Sequence, residues 1–224
     1  MLASRLLPLA ADQRNGHPTV LEEQVLDEVN WARQHPGEVA DYIDDTIEPL
    51  FSASHKQAFR DVPTVRAPLP EEHGVYVRSV EGVALVKETV RWLRAQRPRP
   101  PVVWDDTLAR AADSMVRWQG PRGETGHDRH GVDWMSLARH ENARLLCCGE
   151  VIAYGTSDPR AIVIDLIIDD GVPSRGHRAI MFDTTSAFNA VGVSVGPHAS
   201  FRSMCVIDWG VLRTAREALD HVPQ

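Results

Sequence analysis

From residue 19 to about residue 48, apolar side chains recur every three or four positions, the spacing of helices with one buried stripe. Thr19 and Glu22 are placed as a capping box, and Leu21, Val25, Leu26, Val29 and Ala32 follow on one face. His35-Pro36 closes that helix, because a residue before proline is pushed out of helical backbone. Pro36 then opens a second helix with Val39, Ala40, Tyr42, Ile43 and Ile47 as its apolar positions. Between residues 49 and 79 the period fades while prolines and charges accumulate, which predicts a long loop or insertion. Helical spacing returns over 80–96 through Val83, Val86, Val90 and Leu93, and Arg97-Pro98-Arg99-Pro100-Pro101 stops it.

Asp105 or Asp106 caps the next helix, which runs through Leu108, Ala111, Ala112, Met115 and Gln119. Residues 120–131 form a glycine-rich polar loop holding His127 and His130. A short helix over 135–144 leads into a strand over 145–153, and Asp158 with Pro159 starts another helix on Ala161, Ile162, Leu166 and Ile167. Val191, Val193 and Val195 alternate with small residues, and a second strand over 203–210 pairs with them as a hairpin across residues 196–200. Helices come mainly first and paired strands last. That order predicts an α+β fold on a mainly antiparallel or mixed sheet rather than a doubly wound parallel one. The expected organisation is a lead or signal remnant over 1–18, one domain over 19–212 and a tail over 213–224.

Composition narrows the classes. With 43% hydrophobic and 25% charged residues, the chain has the balance of a globular protein long enough to bury its own core. The longest apolar run, 161–168, is interrupted by Asp165 and is far short of the roughly 20 residues a membrane span needs, so no transmembrane segment is expected. The first eleven residues carry one Arg and an apolar run broken by Pro8, which is no clear signal peptide. Net charge is −7 and the basic residues are scattered, which excludes nucleic acid as the expected partner. Cys147, Cys148 and Cys205 are either buried thiols or include one bridge from Cys205 to the adjacent pair, whose members are too close to bond each other without strain.

Three segments gather groups that bind or titrate. They are Gly126-His127-Asp128-Arg129-His130 in a loop, Gly149-Glu150 on a strand, and Asp169-Asp170-Gly171-Val172-Pro173-Ser174-Arg175-Gly176-His177-Arg178 after a helix. Imidazole and carboxylate are natural ligands for zinc or another divalent ion, but the His127-x-x-His130 spacing alone is not a zinc motif.

Read in order, these and other segments resemble one family. Residues 26–36 look like the first helix of the CAP superfamily, the cysteine-rich secretory, antigen 5 and pathogenesis-related 1 group with its SCP domain. Trp104-Asp105-Asp106-Thr107-Leu108 resembles the group's next helix. Gly126-His127, Gly149-Glu150-Val151, the stretch 169–178 and Met204-Cys205-Val206-Ile207-Asp208-Trp209 follow in the family's order, with 169–178 in the form of a bacterial-like branch. The likeness covers roughly 20–210 and is weakest over 49–79.

The resemblance implies a three-layer αβα sandwich, a secreted or extracytoplasmic location and a cleft with two histidines and two acids. His127 and His177 match the cleft histidines, which would bind zinc or another divalent metal directly, and Glu150 matches the first acid. The second acid falls at Asp169 or Asp170, reaching the metal through water. Val151 stands where the family usually has Asn, and an Asp stands where it has a second Glu. No organic cofactor is implied. Three functions follow from the likeness. The first is a binding module for a lipid, sterol, envelope component or protein. The second is a metal-dependent hydrolase with Glu150 as general base, and the third a non-catalytic scaffold.

Plainer roles stand beside these. Glu150 can accept backbone N–H bonds, Asp169-Asp170-Gly171 can be a helix end and turn, and Arg175 and Arg178 can pair with the aspartates. His130 and His140 are expected in solvent; His198, at the hairpin tip, either reaches the cleft or is exposed, and exposure is the expectation. Gly192-Val193-Ser194-Val195-Gly196 matches a nucleophile-elbow pattern, but the motif needs a strand–turn–helix and this segment leads into a second strand.

Overall fold

The computed structural model describes residues 17–51, 80–128, 131, 133–183 and 186–213. Most of the expected lead, the 52–79 part of the insertion, His130 and the tail from 214 lie outside the described residues. The fold is α+β. It contains two compact units: a sheet unit of the chain up to Leu26, Val102–Ser157 and the chain from Asp183, and a helical unit of Asp27–Pro101 and Asp158–Phe182.

Helix α1 (Val20–Gln34) begins in the first unit and continues into the second. Its capping box forms as the sequence predicts: Thr19 N donates to Glu22 Oε2 at 2.9 Å and Glu22 N donates to Thr19 Oγ1 at 3.3 Å. Val25, Val29 and Ala32 are buried, as the apolar stripe requires.

In the helical unit, Pro36 opens α2 (Pro36–Tyr42), which passes into a π-helical turn at Ile43–Ile47 and a 3-10 turn at Glu48–Phe51. Helix α3 (Val83–Arg94) buries Val86, Val90 and Leu93 and starts three residues later than the spacing predicts. The reason is local: the backbone N–H groups of Val80 and Glu81 donate to the Asp170 carboxylate at 2.7 and 3.0 Å, so those residues belong to a loop. Asp158 caps α6 (Pro159–Ile168) through Ala161 N at 2.7 Å. Six of its ten residues are buried, which makes it a core helix rather than a one-faced one. Helix α7 (Gly176–Met181) follows.

The sheet unit is built on β1 (Val103–Trp104), β2 (Leu145–Tyr154), β3 (Ala190–His198) and β4 (Arg202–Leu212), in the spatial order β1-β3-β4-β2. The hairpin β3–β4 and the pair β2–β4 are antiparallel, and β1 joins β3 in parallel. Two-residue β1 has no alternation to detect, so the sequence gives no sign of it. Helix α4 (Asp106–Gln119) lies on one face of this sheet, with Ala112, Met115 and Val116 packed on Ile152, Met204 and Val206. Helix α5 (Trp134–Glu141) adds Trp134, Leu137 and Ala138 to the other end of the same core, beside Leu108, Ala111 and Leu145.

Of the two candidate caps for α4, Asp105 is the one used. Its Oδ1 accepts Thr107 N and Leu108 N, both at 3.0 Å, and its Oδ2 accepts Asn142 Nδ2 at 3.2 Å. Asp105→Ala is expected to cost about 1–2 kcal/mol in urea denaturation, the upper part of the usual N-cap range. Asp106→Ala should cost less than half of that.

The β2–β4 register settles the Cys205 alternatives. Cys205 is opposite Ala153, whereas Cys148 is opposite Gly210, five positions away. At about 3.4 Å per residue that is roughly 17 Å, and a disulfide needs Cα atoms within about 7 Å. Cys205 is a free, fully buried thiol, and burial raises its pKa.

The Gly192–Gly196 pattern also has a structural cause. Ser194 sits in the middle of continuous β3, with its hydroxyl donating to Asp113 Oδ1 at 3.4 Å, so no elbow exists. A Cβ on Gly192 would lie 2.5 Å from Ala109 Cα and closer still to the Ala109 nitrogen and Leu108 carbonyl carbon. Glycine is there because α4 crosses β3 at backbone contact.

Candidate functional site

The expected site residues form two histidine–carboxylate dyads, one in each unit. In the sheet unit, Glu150 is on β2 and His127 is in the loop after α4. His127 Nδ1 and Glu150 Oε1 are 2.8 Å apart, with the carboxylate side chain 4% exposed and the imidazole 56% exposed. An ionised carboxylate can only accept, so the shared hydrogen belongs to Nδ1, and in the neutral ring Nε2 carries the lone pair.

Strand alternation explains the orientation. Glu150, Ile152 and Tyr154 share the α4 face, and Val151, buried completely, points to the other face. A side chain at 151 is therefore directed to the face opposite the one that carries Glu150. Glu150 is also directly opposite Asp208 on β4, itself fully buried.

The loop that presents His127 is held through its backbone. Gly126 N donates to the Tyr154 hydroxyl at 3.0 Å, Tyr154 donates to Gln119 Oε1 at 2.9 Å, and Gln119 Nε2 donates back to Gly126 O. Gly126 has φ of 94°, a conformation that glycine adopts without cost. Burial raises the Tyr154 pKa, with the Glu150 charge adding in the same direction, so the phenol stays protonated and keeps donating.

In the helical unit, His177 on α7 faces Asp169 at the end of α6. His177 Nδ1 and Asp169 Oδ1 are 2.8 Å apart, and the carboxylate is wholly buried. Asp169 Oδ2 accepts the backbone N–H groups of His177 at 3.0 Å and Arg178 at 3.3 Å. The choice between the two aspartates is thereby made: Asp169 meets the imidazole, and Asp170 caps the loop before α3. Asp169 itself ends α6 in left-handed backbone, φ 59°, two residues before Gly171, and this turns its short carboxylate toward the start of α7.

The arginines do not pair with these aspartates, as the plainer reading had them. Arg175 forms an ion pair with Glu81, which lowers the Glu81 pKa, and donates to the carbonyls of Asp169 and Val172. Arg178 is 2% exposed. It donates to the carbonyls of Ile167 and Ile168, to Thr89 Oγ1 and to both oxygens of Glu88, and it lies over Trp92.

Three further residues were missed in the sequence. Gln119 carries a readable signal, a polar side chain at the last position of the apolar stripe of α4. Tyr154 carries a weaker one at the end of β2. His198 is the reverse of its expectation: it is 2% exposed rather than in solvent, because the hairpin tip folds back on the 120–126 loop. His140 is exposed, as expected.

Among the described residues, no group of three or more His, Cys, Asp or Glu side chains is arranged to hold a metal ion. No helix among them is long and apolar enough to cross a membrane.

Comparison with known proteins gives one family match, to CAP, the cysteine-rich secretory protein family, over residues 87–209. Among solved structures, the chain is similar to an outer surface protein of Borrelia burgdorferi at 16% identity, over 58% of this chain and 88% of that one, with a TM-score of 0.42. It is similar also to an extracellular SCP-domain protein of Bacillus anthracis at 18% identity and a TM-score of 0.40, over 58% of this chain but only 39% of that one. No curated protein matches the sequence. The match over 87–209 takes in more than half of the 224 residues, along with His127, Glu150, Asp169 and His177, and on it the chain belongs to the CAP family.

Proposed function

We propose that this chain is an extracytoplasmic binding module of the CAP type, in which His127 and His177 present Nε2 as a ligand atom. The observation that supports this is common to both dyads: a buried carboxylate accepts the Nδ1–H hydrogen bond and fixes the ring. Outer-shell carboxylates do this for metal-binding imidazoles, which aligns the ring and makes it more basic. The donor chemistry thus fits a divalent ion at the level of each imidazole. A bound zinc would supply a positive centre for an anionic or carbonyl group of a ligand. The acids orient the rings in this reading, in place of the water-bridged role expected from the sequence. The ligand class is a lipid or sterol, an envelope component or a protein surface.

The hydrolase reading is less well supported. A general base must reach the proton it removes, and Glu150 is almost fully buried with Oε1 committed to His127.

Zinc titration of the whole chain tests the proposal. At pH 7.5 the melting temperature is expected to rise with zinc, and the rise should fade toward pH 5 as the imidazoles protonate. Calorimetry gives the stoichiometry. His127→Ala and His177→Ala should each lose binding heat, and Glu150→Gln or Asp169→Asn should weaken it by about 10–100-fold. If no zinc-dependent shift occurs at any pH, the metal part of the proposal is wrong. An activity abolished in Glu150→Gln would restore the hydrolase.

A further inference from the structure

The most developed polar arrangement outside the two dyads surrounds His198, at the end of β3. Its Nδ1 accepts the backbone N–H groups of Ser200 at 3.2 Å and Phe201 at 3.1 Å, while Nε2 lies 2.7 Å from the Glu124 carbonyl oxygen. A nitrogen facing two donors must carry the lone pair, and one facing a carbonyl must carry the hydrogen. The contacts therefore define one tautomer of one charge state, the neutral Nε2–H ring. This is the opposite tautomer from that of the dyads.

The ring belongs to a small aromatic cluster, edge-on to Tyr154 with centroids 5.2 Å apart and tilted against Phe201 at 5.3 Å. The same hairpin tip holds the loop twice more, through Ser200 Oγ to Gly123 O at 3.2 Å and Ala199 N to Gly120 O at 2.8 Å.

We infer that His198 is a positioning residue for the loop of His127, and that it works as a latch which protonation opens. Glu124 is three residues before His127, and Tyr154, edge-on to the His198 ring, holds Gly126 from the other side. A second proton on the ring has only Nδ1 to occupy. There it would point at two N–H donors, so the hairpin tip must reopen and the contact with Glu124 is lost with it.

Three titratable or charged residues among the described ones are tied to His198 by its contacts and register. They are the Tyr154 phenol on β2, kept protonated by burial; Glu124 in the loop; and Arg202, the register partner on β4. The inference does not depend on the metal proposal, since none of its contacts involves a dyad residue.

The test is nuclear magnetic resonance and amide exchange on the metal-free whole chain between pH 7.5 and pH 5. At pH 7.5 the ¹⁵N shifts of His198 should report the Nε2–H tautomer. On acidification, the exchange of the Ser200 and Phe201 amides, corrected for intrinsic rate, should speed up by about tenfold, the factor that one ordinary hydrogen bond is worth. Residues 123–128 should follow with the midpoint of the His198 ring, and β4 amides such as Val206 should stay protected.

In His198→Phe the loop should exchange fast at both pH values, with no midpoint. An Nδ1–H tautomer at neutral pH would overturn the inference. So would protection that is constant through the titration, or a midpoint that tracks His127. The wild-type titration decides the matter even if the variant does not fold.

Discussion

Arg178→Met is expected to destabilise the protein by about 3 kcal/mol, roughly 1 kcal/mol for each of three buried acceptors that lose their donor. Methionine keeps the length and the apolar stem but none of the donors. The carbonyls of Ile167 and Ile168 and the hydroxyl of Thr89 would then be left without the guanidinium that now meets them. Burial already lowers the Arg178 pKa, so the surroundings tolerate the charge only because so many acceptors converge on it. Glu88→Gln is the control. Its carboxylate is 42% exposed, water can replace it, and its removal should cost about 1 kcal/mol or less. Urea denaturation of both variants checks the order. Equal losses would mean that the ion pair, rather than the carbonyl contacts, makes the contribution.

Gly192→Ala should cost a similar amount, about 3 kcal/mol, at the top of the overpacking range. Most small-to-large substitutions are relieved by a side chain changing rotamer. Here the added methyl meets the backbone of Leu108 and Ala109, which has no rotamer to change. Helix α4 must lift from β3, loosening Ala112, Met115 and Val116 from Ile152 and Val206 as it goes. Thermal denaturation reads the loss. A companion substitution at Gly37, where an added Cβ meets nothing within 4 Å, should change the melting temperature little beyond its helix-propensity gain.

How far these features could be read beforehand depends on whether their cause is local. The capping box at Thr19, the proline start of α2, the Asp158 cap and the hairpin strands rest on residues a few positions apart, and each appears where the sequence puts it. The dyad histidines were found through ordered motifs, but their bonding was not. That Glu150 and Asp169 hold the Nδ1 atoms depends on strand alternation at 150 and on a left-handed residue at 169, neither visible in spacing. The roles of Arg178 and His198 depend on partners about 90 and 74 residues away. Charge proximity along the chain suggested Asp169 and Asp170 for Arg178, and contact across the fold chose Glu88 and Thr89 instead.

Apart from the Glu150 contact to the His127 ring, the bonds described above reach the 123–128 segment at main-chain atoms: Gln119 and Tyr154 at Gly126, His198 at Glu124, Ser200 at Gly123. Shape and side-chain identity are thus decoupled in that stretch. The exposed residues Thr125 and Asp128 can diversify, by natural drift or by a designed library, while the ring at position 127 keeps its aim. One scaffold can in this way be retargeted to a new ligand without being refolded.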